Sequence, residues 1–241
     1  MPVPLVVPLS ALVPALNAGD TCLTRNDWIC GEYYTSRAGD LADATLQHVV
    51  VVAASVLLGL ALAVPLALLA RRYRRLEGLV VGTTTALYTI PSLALFSLLV
   101  PLTGLTGNTV VLGLGLYSLT ILVRGILDGL RAVPADVREA ALGMGYGARR
   151  LLWRVEVPLA LPTMMASLRV ATVSAVALTT VGAILDYGGL GDMLLEAATV
   201  TNFHAEVLAT SVLCVLLAVA LDLLLVGVQR LLTPWTRAVS A

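Results

Sequence analysis

Lysine is absent from this sequence of 241 residues: all 15 basic side chains are arginine. That excludes a lysine nucleophile or a Schiff-base lysine. Charge of either sign is scarce at 12%, aromatic residues make up 5%, and there are two histidines. His48 and His204 have no second ligand at metal-binding spacing, so both read as residues of the external membrane edge and no metal site is expected. No Ser/His pair, paired aspartates or His-Glu-x-x-His arrangement is present, which argues against an intramembrane enzyme. A Gly-x-x-x-x-Gly-Lys-Ser/Thr phosphate loop is also missing, so no cofactor is expected on this chain. The formal net charge is zero and says little about partners; no nucleic-acid partner is expected.

What the sequence does contain is apolar. It is 59% hydrophobic with a mean hydropathy of +0.93, whereas a soluble domain is about half apolar and about a quarter charged. An all-α polytopic membrane protein follows. A crossing needs about 20 largely apolar residues, and five runs qualify, near residues 49–70, 79–101, 109–127, 158–185 and 205–228. Arginines orient them. Arg71 to Arg75, then Arg131, Arg138, Arg149, Arg150 and Arg154, then Arg230 and Arg237 all fall on one side of a five-span arrangement. That side is expected to be cytoplasmic, with the N-terminus outside and the C-terminus inside. The opening stretch from Pro2 to Leu16 is apolar but short and carries four prolines. It reads as an irregular external or interfacial lead rather than a sixth span.

Two cysteines, Cys22 and Cys30, lie close together in the polar N-terminal region, and Cys214 lies in an apolar run. If the N-terminal region faces an oxidising compartment, Cys22 and Cys30 are disulfide candidates; the alternative is two unpaired thiols. Glycine pairs at four-residue spacing, Gly78/Gly82 and Gly125/Gly129, would permit close helix approach. In the second apolar run, Pro91 should free a backbone carbonyl and kink the helix. Tyr88, Thr89 and Ser92 flank it as gate or pathway candidates. Arg124 reads as a snorkelling side chain. Arg169 lies deeper and needs a partner or a water-filled cavity, with Asp128 and Glu156 as conceivable partners.

Between the third and fourth runs lies a polar island, EAALGMGYGARRLLWRVEVP, from Glu139 to Pro158. Pro134 suits a helix start and Asp136 an N-cap. Gly143, Gly145 and Gly147 then break the helix. A second amphipathic stretch follows, Ala148 to Val157, and Pro158 and Pro162 restrict the entry to the next span. The outcome is a compact helix–turn–helix lever.

The order Glu139-Ala140-Ala141, three residues, Gly145, nine residues, then Val155-Glu156-Val157-Pro158 resembles the EAA signature of the membrane subunits of bacterial ABC importers. The run Thr89-Ile90-Pro91-Ser92-Leu93-Ala94-Leu95 resembles that of permeases for quaternary amines: glycine betaine, carnitine, choline and proline betaine. Leu130-Arg131-Ala132-Val133-Pro134, Leu161-Pro162, Leu168-Arg169 and Gly188-Gly189-Leu190-Gly191 are similar to the same family, although Asp186-Tyr187 departs from its small residues.

The resemblance implies a fold like that of methionine-importer permeases. It implies an N-terminal segment over 1–40, a transmembrane domain over 41–233 with its coupling loop at 129–158, and a cytoplasmic tail over 234–241. The loop residues Glu139, Ala140, Ala141, Gly143, Gly145, Arg149 and Pro158 would receive an ATPase. The implied partners are a second permease, identical or similar, two ATPase subunits that bind ATP, and an extracytoplasmic solute-binding protein, in a bacterial cell membrane. With few aromatics and none clustered in the spans, selectivity for a quaternary amine would reside mainly in the binding protein. The alternatives are an importer for another small solute such as methionine, or a non-transporting membrane scaffold.

Overall fold

The computed structural model describes residues 21–235. The Pro2–Leu16 lead, Arg237 and most of the expected tail lie outside them. Among the described residues the structure is helical, without strands. A short helix α1 (Gly31–Ser36) leads into α2 (Ala38–Arg72). Next come α3 (Arg74–Thr89), α4 (Ser92–Thr103), α5 (Gly107–Arg131), the small helix α6 (Ala135–Gly143) and α7 (Ala148–Leu151). A wide π turn, Leu152–Glu156, joins α7 to α8 (Val157–Thr179), which tightens into a 3-10 turn at Thr180–Leu185. After α9 (Leu190–Glu196) and a second π turn comes α10 (His204–Leu232).

Four of these runs are long and apolar enough to cross a membrane: Ala38–Arg72, Gly107–Arg131, Ala148–Leu185 and His204–Leu232. The pair α3 and α4, taken as one crossing, makes five, the number expected from the sequence. That crossing is not a kinked helix, however. Ile90 (φ −67°, ψ 127°) and Pro91 (φ −55°, ψ 138°) are both extended, and the two halves meet at 100°. The proline ring disfavours helical backbone at the residue before it and removes a donor, so the helix stops and restarts rather than bending.

The other corrections also concern boundaries. The helix of the first crossing begins at residue 38, about three turns before the apolar run at 49–70, because Asp40 and Asp43 lower hydropathy without stopping a helix. The stretch after Gly147 is not a separate surface helix. It runs without interruption into the fourth crossing, and its wide turn sits directly before Pro158, whose ring cannot approach the carbonyl four residues back. Asp136 lies in the first turn of α6, and Pro134 holds the N-cap position without a side-chain cap.

Helix α5 is the centre of the bundle. Its buried side chains Leu119, Leu122, Val123, Ile126, Leu127 and Leu130 pack against Ala63, Ala67 and Ala70 of α2, Val80 of α3, and Ala160 and Ala171 of α8. Small residues are what bring apolar helices together where no water drives association. At Gly125 an added Cβ would lie 2.0 Å from Ser167 Oγ, so the Gly125/Gly129 pair does permit close approach. Gly78 and Gly82 face open space. Helix α10 lies at the edge, with none of its most apolar window buried.

Candidate functional site

At the arginine-rich end, α6 is held by one buried carboxylate. Glu156, in the π turn, is 1% exposed. It is paired with Arg71 Nη2, from the end of α2, and its Oε1 lies 3.1 Å from Arg138 Nε of α6. Arg138 also donates through Nη2 to the carbonyl of Leu130 in α5. Four elements therefore meet at Glu156 and Arg138. A π turn changes the angular step of a helix, and here it precedes a run in which Glu156 faces inward while Trp153 and Arg154 are exposed.

The signature residues themselves divide by exposure. Glu139, Ala140, Gly143, Gly145 and Arg149 are exposed, and Ala141 is buried at 2%. The turn after α6 is closed by Met144 N–H to Ala140 O at 3.0 Å, Gly145 N–H to Leu142 O at 2.9 Å and Tyr146 N–H to Ala141 O at 3.1 Å. Gly145 has φ +81°, a left-handed backbone that a side chain resists. Leu142, Met144 and Trp153 are all more than half exposed around it.

The second region is the break at Pro91. Freed from its helix, the Ile90 carbonyl accepts the hydroxyl of Tyr117. Tyr117 in turn packs edge-on against Tyr88, with centroids 5.7 Å apart. Two aromatic rings from different spans thus meet, although they are 29 positions apart in sequence, because they are neighbours on antiparallel helices. Thr89 and Pro91 are exposed and Ser92 is half-buried. Toward the arginine-rich end the α3–α5 seam opens into a groove of about 600 Å3, lined among others by Glu77, Thr85, Arg124, Asp128 and Arg131. Arg124 Nη2 donates to Thr85 Oγ1 at 2.9 Å, and Arg131 pairs with Glu77.

Arg169 has neither expected partner. It meets Asp222 of α10 in a two-pronged pair, Nε to Oδ1 at 2.7 Å and Nη2 to Oδ2 at 2.8 Å. Asp128 instead lies 3.6 Å from Arg131, and Glu156 belongs to the cluster described above. The charge on Asp222, in the middle of a strongly apolar helix, was the available signal for a partner.

The opposite end is bound together by backbone. Gly189 has φ +59°, and a Cβ there would lie 2.7 Å from the backbone nitrogen of His48, so the glycine lets its loop rest on α2. Asp192 accepts Gly188 N–H at 2.7 Å and Gly189 N–H at 3.0 Å. Burial pushes its carboxyl up, and those two N–H groups pull the other way. His48 is fully buried rather than interfacial. Its ring nitrogens lie 3.0 Å from the carbonyls of Gly188 and Val176. Cys22 and Cys30 are joined in a disulfide, with Cα atoms 5.4 Å apart. Inside that loop Asn26 donates to the Asn202 carbonyl at 2.8 Å and accepts His204 N–H at 2.8 Å, and Trp28 stacks on the His204 ring at 4.4 Å.

Residues 55–238 match the family described as binding-protein-dependent transport system inner membrane component. The chain belongs to this family. As such a membrane component it is 36% identical over 204 residues to the glycine betaine/carnitine/choline transport system permease protein OpuCD of Bacillus subtilis (strain 168), covering 85% of this chain and 89% of the relative. It is 38% identical to the osmoprotectant import permease protein OsmW of Salmonella typhimurium (strain LT2), covering 84% and 96%. Its fold is similar to that of the MetNI methionine ABC transporter solved in inward-facing conformations. The TM-score is 0.73 at 18% identity, with 82% of this chain and 98% of that chain covered. The described transport component thus has the methionine-importer fold expected from its sequence.

Proposed function

We propose that this chain is the permease subunit of an ABC importer for glycine betaine, choline and carnitine-type osmoprotectants. The observation that carries this reading is its similarity, over 85% of its length, to a permease of that name. The likeness to the methionine transporter, at 18% identity, supports the fold and no particular solute.

Four features support assignments within that function. The exposed Leu142, Met144 and Trp153 around the Gly145 turn suit docking into a groove on a separate ATPase subunit. Ala141 and the Glu156 cluster would make α6 a rigid lever. The arginine-rich end is then cytoplasmic and the disulfide-bearing end extracytoplasmic, where a solute-binding protein delivers its cargo. The charged α3–α5 groove, with Tyr88, Thr89, Pro91 and Ser92 beyond it, would face the translocation path shared with a second permease, identical or similar. ATP is bound on the ATPase, and no cofactor is required here.

Reconstitution of the chain with a candidate ATPase subunit and solute-binding protein of the same organism tests the proposal. ATP-dependent uptake of radiolabelled glycine betaine or choline is expected. Uptake of methionine alone would redirect the solute, and no uptake with intact assembly would favour a scaffold.

A further inference from the structure

We infer that Arg124 and Tyr88 form a transient solute site on the α3–α5 seam, with Arg124 taking a carboxylate and Tyr88 a quaternary ammonium group. This rests on the osmoprotectant reading and deepens it. The site favours a compact zwitterion such as glycine betaine over choline, which carries a hydroxyl in place of the carboxylate.

Water must reach this groove. In the half of α5 from Ile121 to Arg131, the exposed residues are Arg124, Asp128 and Arg131, all charged. Asp128 and Arg131 close the helix at its arginine-rich end, and Arg124 carries that charge about two turns further into the span, where it is costly against lipid unless water or a ligand meets it.

Within that stripe Arg124 differs from its neighbours. Arg131 is paired with Glu77 and Asp128. Arg124 has no ion pair among the described residues, and its hydrogen bond goes to the neutral Thr85 hydroxyl at 2.9 Å. A guanidinium carries five donors in a planar fork that matches a carboxylate. One of them anchors Arg124, and the others remain for a ligand.

Thr85 fixes where that ligand lies. Thr85 and Tyr88 are three residues apart on α3, so they share one face of the helix. The guanidinium held at Thr85 is therefore on the face of α3 that also carries Tyr88, which lies next to the groove rather than in its lining. Tyr88 is 45% exposed. Its edge contact with Tyr117, itself anchored by the Ile90 carbonyl, holds the ring in place. A quaternary ammonium has no N–H to donate and is held by an aromatic face. In glycine betaine a single methylene separates ammonium from carboxylate, so both charges of one molecule fall within the reach of groups that share one face of the seam. One ring and one arginine make a weak site, which suits a solute in passage.

The test uses the complete complex in liposomes, with binding protein saturated by glycine betaine or by choline. Uptake is measured per ATP hydrolysed, as the ratio of the two solutes. Arg124→Gln should lower the glycine betaine-to-choline ratio about tenfold, the scale of one lost charge-assisted hydrogen bond. Arg124→Lys, which keeps the charge without the fork, should recover part of it. It also decides the matter if the glutamine variant does not assemble. Tyr88→Ala should lower uptake of both solutes, and Tyr88→Phe should recover most of that loss. An unchanged glycine betaine-to-choline ratio in both Arg124 variants, or wild-type uptake of both solutes by Tyr88→Ala, overturns the site. Absence of uptake of either solute by the wild-type complex overturns the osmoprotectant reading and the site with it.

Discussion

Glu156 Oε1 lies 3.1 Å from Arg138 Nε, joining the entry of the fourth crossing to the small helix α6. The carboxylate is buried and also holds Arg71 at the end of α2. Glu156 therefore ties α6 to two spanning helices at once.

Removing that carboxylate should be costly on two counts. Breaking a buried ion pair by deleting one partner costs about 3–5 kcal/mol. Glu156→Ala is expected to unfold at a clearly lower temperature in detergent than Glu139→Ala, because Glu139 is exposed. Where the protein survives, uptake per ATP should fall. A Glu156→Ala complex with wild-type stability and wild-type uptake would remove this cluster from the mechanism.

The exposed half of the same segment makes a different prediction. Glu139→Arg and a bulky residue at Gly145 should abolish uptake while the protein still inserts in the membrane. At Gly145 the cause is backbone geometry, since φ is +81° and a side chain there costs about 1–2 kcal/mol. Uptake and membrane-fraction immunoblots, measured together, separate these variants from simple misfolding; full transport by either would count against the lever.

Arg169 and Asp222 satisfy one another at 2.7 and 2.8 Å. Either single change, Arg169→Gln or Asp222→Asn, leaves a charge in the span without its partner, whereas the double change leaves none. The pair should therefore be non-additive, with an interaction energy of about 0.5–3 kcal/mol. Denaturation of the two single variants and the double variant measures it. Strictly additive losses would show that the two side chains do not depend on each other.

Thiol reactivity tests the far end. The structure leaves Cys214 as the free cysteine beside the Cys22–Cys30 bridge. Denatured without reductant, the protein should bind one equivalent of a thiol reagent, and with reductant three, matching its three cysteines. Three without reductant would mean that no bridge forms. Loss of the bridge is expected to cost about 2–4 kcal/mol and to loosen the Asn26–His204 contacts that the loop presents.

Much of this protein was legible from local chemistry. Apolar run length and the arginine pattern yield five crossings. Glycine at 145 and proline at 91 mark the places where the chain turns or breaks, because those residues act on their own backbone. The spacing around Glu139 was enough to indicate the family. Hydropathy did not show that the helix of the first crossing starts at Ala38, since it measures lipid preference rather than helix continuity.

Partner choice was decided only by the tertiary structure. Nothing in the order of residues pairs Arg169 with Asp222 rather than with Asp128 or Glu156, brings Tyr88 to Tyr117, or buries His48 beneath Gly188. A side chain's intrinsic preferences are local, and they set helices, turns and breaks. Which charges neutralise one another depends on which helices lie side by side and how each is rotated. That is settled by close packing at small residues such as Gly125 and Ala160, summed over the whole bundle.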